Sequence, residues 1–262
     1  FNSPQIWAWR KGRLNMIKTV VDKMIVLFPF EKKIYQQVDV DVSWVGHPLM
    51  DEIQIENDSG EFRRQYGLQN NIPLLAIAPG SRPSEMQRHL PTLLEALPRI
   101  REKTGEIQCM LPVAESLDLK EIKNITEVSP VPVTLVQEQF IEAIRACDAA
   151  IVASGTASLQ TALALTPFVI VYRVSPLTFW IARHLADTKY IGLVNVLAER
   201  EIVPEILQND FTVSNITKAA VRLLQDEDYR ATMICQLKTT RSKLGEPGAY
   251  DKAALCIENT LR

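Results

Sequence analysis

The sequence is poor in the residues that hold cross-linked or metal-built folds together. Its 262 residues include four cysteines and three histidines. Cys109, Cys147, Cys235 and Cys256 lie far apart with no C-x-x-C pair. That spacing argues against a disulfide framework and a zinc site, and for reduced, packed thiols. His47, His89 and His184 form no H-x-x-x-H pair, so no metal is expected, and no cofactor either. Net charge is also scarce: 29 basic against 31 acidic residues give −2, which offers nothing to a nucleic acid. No apolar run reaches membrane-spanning length, and the start carries no secretory signal pattern. The first residue is Phe1, so the sequence reads as starting after a cut or as a piece of something longer. There is no internal repeat. G-x-G-x-x-G, Walker and G-x-S-x-G motifs are all missing, which leaves nicotinamide chemistry, ATP hydrolysis and a hydrolase-type serine without support.

What is present is an ordinary globular composition, 47% hydrophobic and 23% charged, enough for one large or two small domains. From residue 74 onward short apolar runs alternate with helical patterns. Strands are expected near 74–78, 108–113, 133–136, 149–153, 168–172 and 191–195, which implies a parallel sheet wrapped by helices. Pro91 and Pro98 should kink or stop the first long helix. The last 50 residues read as helices broken at Gly245-Glu-Pro-Gly248.

Two strand-to-helix corners stand out. In Ile151-Val-Ala-Ser-Gly-Thr-Ala-Ser-Leu-Gln160 a buried strand meets a Ser154-Gly155 turn and a helix starting near Thr156. Glycine lets backbone approach a ligand, and a helix start offers unpaired N–H groups to a phosphate. Gln160 falls one turn further on the same face as Thr156. Upstream, Leu74-Leu-Ala-Ile-Ala78 runs into Pro79-Gly-Ser-Arg82 and a long helix. Pro83 suits the first helical turn, Glu85 complements the dipole, and Arg82 could grip a diphosphate. Two such corners should share the carboxyl edge of one sheet, where ligands of open α/β sheets bind. Asn195 and Arg200 are expected at the same edge, with a loop amide and a structural ion pair as the plainer alternative.

The first part of the chain says less. Trp7 and Trp9 beside Arg10, Lys11 and Arg13 could meet a phosphate, a sugar or a membrane surface, or could pack against a neighbour. Helix is expected over 13–21 and 31–37, and strand over 23–28. Val38-Asp-Val-Asp-Val-Ser-Trp-Val45 alternates, which argues for a half-buried strand with Asp39 and Asp41 on one solvated face rather than holding a metal. His47 either faces a cleft or bonds locally before a turn. Residues 1–55 read as the remnant of one domain, 56–72 as a linker, and 73–262 as a Rossmann-like domain whose last helices could return to the first part. A remnant sheet should leave apolar residues around Ile25 to Phe30 exposed.

Taken together, the pieces Ser3-Pro-Gln-Ile-Trp-Ala-Trp-Arg10, Phe28-Pro-Phe-Glu31, Val45-Gly-His-Pro48, Pro79-Gly-Ser-Arg82, Ser154-Gly-Thr-Ala157, Tyr172-Arg173, Phe179-Trp180 and the run from Asn195 to Glu205 resemble the lipid-A-disaccharide synthase family, whose fold is of the GT-B type. The resemblance covers nearly the whole chain. It implies an inverting transfer from a UDP-linked diacylglucosamine to a diacylglucosamine 1-phosphate. The acceptor's 6-hydroxyl attacks the anomeric carbon, UDP leaves, and no metal takes part. It implies a peripheral enzyme at the inner face of the bacterial inner membrane.

On the same ground Ser81, Glu85, Tyr172, Ser154 and Glu201 join Gly80, Arg82, Gly155, Thr156, Gln160, Asn195 and Arg200 as nucleotide-sugar contacts. Arg82 would stabilise the leaving group. Trp7, Trp9, Arg10 and His47 would lie on the acceptor or membrane side. The match is to the latter two-thirds of the family. The carboxylate expected to assist the attacking hydroxyl lies outside it, so no turnover is expected of residues 1–262 alone. Gln160 stands where the family usually has glutamate, Val194 where it has proline and Glu199 where it has glycine. A noncatalytic nucleotide-sugar-binding module, a related UDP-sugar enzyme such as an epimerase or the muramyl transferase, and a structural fragment without a ligand are the alternatives.

Overall fold

The computed structural model describes residues 13–53, 59–175 and 189–261. Trp7, Trp9 and Arg10, and also Phe179 and Trp180, lie outside the described residues. The chain forms two compact units. One comprises Phe1–Gln54, Ser175–Lys189 and Thr239–Arg262, the other Ile55–Val174 and Tyr190–Lys238.

The first unit contains α1 (Arg13–Val20), β1 (Met24–Val26), α2 (Pro29–Gln36), β2 (Val42–Trp44) and α3 (Leu49–Glu52). β1 and β2 pair in parallel, from Met24↔Val42 to Val26↔Trp44. Pro29 opens α2 where a missing N–H costs nothing, and Glu31 accepts the Phe28 N–H at 3.1 Å. The alternating run from Val38 is strand only over its last part. Val38 and Val40 both donate to Tyr35 O, and Asp39 takes φ +56°, so this stretch closes the end of α2. Asp39 and Asp41 form solvated ion pairs with Lys18 and Lys23, at 3.3 and 2.9 Å.

Ile25 to Phe28 are buried, against the expectation of exposure. Val26 packs with Ile17, Met24, Tyr35 and Val40, while Ile25 shares a depression with Ile257 of the C-terminal helix Ala249–Leu261. That helix belongs to the same unit. Asp51 caps its start by accepting N–H groups of Gly248 and, at 3.1 Å, Ala249.

The second unit runs α4 (Ser59–Gln65), β3 (Leu74–Ala78), α5 (Pro83–Thr104), β4 (Gln108–Val113), α6 (Leu119–Thr126), β5 (Val133–Gln137), α7 (Phe140–Arg145), β6 (Ala149–Ala153), α8 (Thr156–Leu163), β7 (Phe168–Tyr172), α9 (Leu193–Ala198), β8 (Glu205–Leu207), α10 (Val213–Gln225) and α11 (Glu227–Ser242), the last ending in the first unit. Its six strands form one parallel sheet in the order β5-β4-β3-β6-β7-β8. β3, β6 and β7 are buried almost throughout, which is why they read in sequence as unbroken apolar runs.

Three expectations change in this unit. The sixth strand is 205–207, not 191–195. The apolar run at 191–195 is too short for its periodicity to separate strand from helix. Glu205 accepts the Ile191 and Gly192 N–H groups at 2.9 Å each and so starts α9 there. Pro204, with no N–H to donate, precedes the edge strand instead. α5 runs through Pro91 and Pro98 without a stop, because Leu90, Leu93, Leu97 and Ile100 are buried along it and outweigh two lost backbone bonds. Residues 59–65 are helix rather than linker. Phe62 and Arg63 are buried, and the Arg63 guanidinium donates to Ala146 O at 2.7 Å and pairs with Asp148 at 3.0 Å.

Candidate functional site

A cavity of about 720 Å³ opens at the carboxyl ends of the central strands. From β3 the chain turns outward on one side to β4 and β5, and from β6 on the other to β7 and β8. The cavity therefore sits at the topological switch point, between β3 and β6. These two strands pair up to Ala78↔Val152, so the corners that follow them are neighbours.

The first corner is Pro79-Gly-Ser-Arg82. Gly80 has φ +135°, and a Cβ there would lie 2.3 Å from Glu85 Oε2. The residue is glycine because the chain must fold back on the Glu85 side chain. Glu85 accepts the Ser81 N–H at 3.1 Å, and its other oxygen lies 3.5 Å from Arg82 Nη1. Arg82 nonetheless keeps a side chain 76% exposed, and among the described residues its guanidinium is held at this one point. Ser116 Oγ donates to Ser81 O at 2.8 Å and ties the corner to the loop after β4.

The second corner is Ser154-Gly155-Thr156. Gly155 takes φ +146°, with open space where a Cβ would be, so here the backbone angle is what demands glycine. α8 starts without a side-chain cap. Its Thr156 and Ala157 N–H groups have no partner among the described residues, and both residues line the cavity. Gln160, one turn along α8, lines the cavity, as does Tyr172 at the end of β7. Burial, and next the Glu85 carboxylate, push the Tyr172 phenol upward, with Arg82 and Arg88 opposing.

Gly80, Ser81, Arg82, Glu85, Ser154, Gly155, Thr156, Gln160 and Tyr172 are thus gathered around one space. Asn195, Arg200 and Glu201 are not on it, which corrects their expected place. The Asn195 carboxamide is fully buried. It donates to Val203 O and Glu205 Oε1 at 2.8 Å each, and accepts from the Ile202 and Val203 N–H groups at 2.9 and 3.0 Å. Arg200 and Glu201 are exposed and precede β8, at the amino end of the sheet. His47, in the first unit, packs tilted against Phe28 with ring centroids 5.1 Å apart and accepts the Leu49 N–H on Nδ1 at 3.2 Å, the local role. Desolvation lowers its pKa to about 4.

The cavity also has a wall that no motif announced. Glu115, after β4, and Glu138 and Phe140, after β5, line its other end, with Glu138 in the left-handed region at φ +58°. The carboxyl-edge rule, extended from β3 and β6 to every strand of the sheet, would have found them. Among the described residues three carboxylates and one guanidinium line the cavity, so of these an anion bound there would rely on Arg82 and on backbone N–H groups.

Among the described residues no helix is long and apolar enough to cross a membrane. Solved structures share the fold. A Listeria monocytogenes protein described as a UDP-N-acetylglucosamine 2-epimerase superposes with TM-score 0.64 at 13% identity, over 94% of this chain and 62% of its own. Anabaena HepE in complex with UDP-glucose gives 0.58 at 13% identity, over 98% and 69%. The architecture is the α/β fold of GT-B glycosyltransferases. The lipid-A-disaccharide synthase of Syntrophus aciditrophicus is 41% identical over 254 residues, 97% of this chain and 66% of the relative's length. The family model described as lipid-A-disaccharide synthetase matches residues 1–259, and the chain belongs to that family.

Proposed function

We propose that the cavity binds a UDP-linked sugar and that the chain supplies the donor side of an inverting glycosyltransferase. The reaction in this reading joins UDP-2,3-diacylglucosamine to 2,3-diacylglucosamine 1-phosphate, making lipid A disaccharide and releasing UDP. The observation that carries it is the meeting of the corners at 79–82 and 154–157 on paired strands around one cavity. As the acceptor's 6-hydroxyl oxygen bonds to the anomeric carbon, the bond to the β-phosphate oxygen breaks and its electron pair passes to the diphosphate. The hydroxyl proton leaves to a base. Charge grows on the leaving group, where Arg82 and the Thr156 and Ala157 N–H groups are positioned to meet it. Gln160 faces the ribose, and Tyr172 closes the sugar side. The acylated substrates put the enzyme at the inner face of the bacterial inner membrane as a peripheral protein, with Trp7, Trp9 and Arg10 toward the acceptor or the lipid.

The test is calorimetry with UDP on Arg82→Ala. A lost charge-assisted contact is worth about 1.5–3 kcal/mol, so affinity should fall at least about tenfold. Unchanged affinity in a folded variant would remove Arg82 from the site.

A further inference from the structure

We infer that His89 is a positioning residue for the diphosphate corner, acting through two backbone groups and touching no ligand itself. The inference rests on the reading of the cavity as a UDP-sugar site. His89 lies in α5 with 0% of its surface exposed. Its Nδ1 is 2.6 Å from Pro79 O, at the end of β3, and its Nε2 accepts the Arg173 N–H at 2.9 Å, just past β7. Nε2 also lies 3.2 Å from Arg173 O, but the closer contact is with an amide N–H, which can only donate, so Nε2 is taken as the acceptor and Nδ1 as the donor to Pro79. One imidazole therefore links the chain on either side of β6, the strand that leads into Gly155.

Each end of this link adjoins a cavity residue. Pro79 precedes Gly80, and Arg173 follows Tyr172. The ring also packs on Tyr172 at 5.7 Å and on Phe211 at 5.4 Å. The far end is fixed in turn: the Arg173 guanidinium lies 5.0 Å over the Phe211 ring and donates to Phe211 O at 2.6 Å. Without the imidazole the Pro79 carbonyl loses a buried partner and the corner is free to shift. A misplaced corner weakens every hydrogen bond it offers a diphosphate.

The experiment compares wild type, His89→Leu, His89→Gln and Arg82→Ala. UDP affinity is read by calorimetry, Tm by melting, and amide exchange over 79–86 and 171–175 by mass spectrometry. His89→Leu should weaken UDP about fivefold or more and speed exchange in both segments together. His89→Gln, with one donor and one acceptor on its carboxamide, should recover most of that loss. If His89→Leu does not fold, His89→Phe keeps the ring volume and drops both hydrogen bonds in its place. A residue that only fills the core would lower Tm in both variants and leave the UDP affinity of folded protein unchanged. That result overturns the inference, as does a His89→Gln variant that binds no better than His89→Leu. Affinity lost in Arg82→Ala but kept in His89→Leu sinks this inference alone. No UDP binding by wild type sinks the reading of the site, and this inference with it.

Discussion

Asn195 offers the sharpest test of structure against motif. If its carboxamide holds the fold, Asn195→Ala should cost stability and leave the cavity alone. The substitution removes the acceptor of two buried N–H groups, those of Ile202 and Val203, and the donor to Val203 O and Glu205. Two orphaned buried donors at about 1–3 kcal/mol each give a loss of about 2–6 kcal/mol. That is a large share of the 5–15 kcal/mol that keeps a typical domain folded. Asn195→Asp should be as damaging or worse, because it puts a carboxylate oxygen where the amide now donates to Glu205 and to a carbonyl. Urea unfolding followed by circular dichroism measures the loss, and an unchanged m-value keeps the comparison two-state. UDP affinity, corrected for the folded fraction, should match wild type because Asn195 is not on the cavity. A variant within about 1 kcal/mol of wild type would refute the reasoning about buried partners. Intact stability with lost UDP binding would restore Asn195 to the ligand.

Two further outcomes are expected. Gln160→Glu should tighten UDP binding and leave inorganic diphosphate unaffected, because a carboxylate accepts from both ribose hydroxyls with charge assistance; an equal shift for both ligands would deny the ribose contact. His47, with its pKa lowered to about 4 against 6.5 unfolded, binds fewer protons folded than unfolded in that window. Its contribution is complete above pH 6.5 and falls away as pH drops toward 4. With the partly exposed ring discounted for solvent, wild type should lose about 1–2 kcal/mol relative to His47→Gln across that range in paired urea titrations, and parallel curves would deny the shift.

The sequence alone determined the central strands and the two corners. Strands 74–78, 108–113, 149–153 and 168–172 are legible because a strand buried on both faces is an unbroken apolar run, and turn residues mark its ends. The Gly80 and Gly155 corners follow from the same local rules, since backbone angle and helix start are set within a few residues. At 191–195 those rules ran out: a short apolar run fits strand or helix, and a carboxylate ten or more residues away made it helix. Pairing decided the rest. The order β5-β4-β3-β6-β7-β8 makes the two corners neighbours and brings Glu115, Glu138 and Phe140 to the same space. His89 showed no pattern in sequence because its partners, Pro79 and Arg173, lie 10 and 84 residues away. Asp51 caps a helix 198 residues further on. Periodicity is a property of neighbours along the chain. Hydrogen bonds between distant polar groups exist only once packing has buried them together, and only the tertiary structure decides which groups those are.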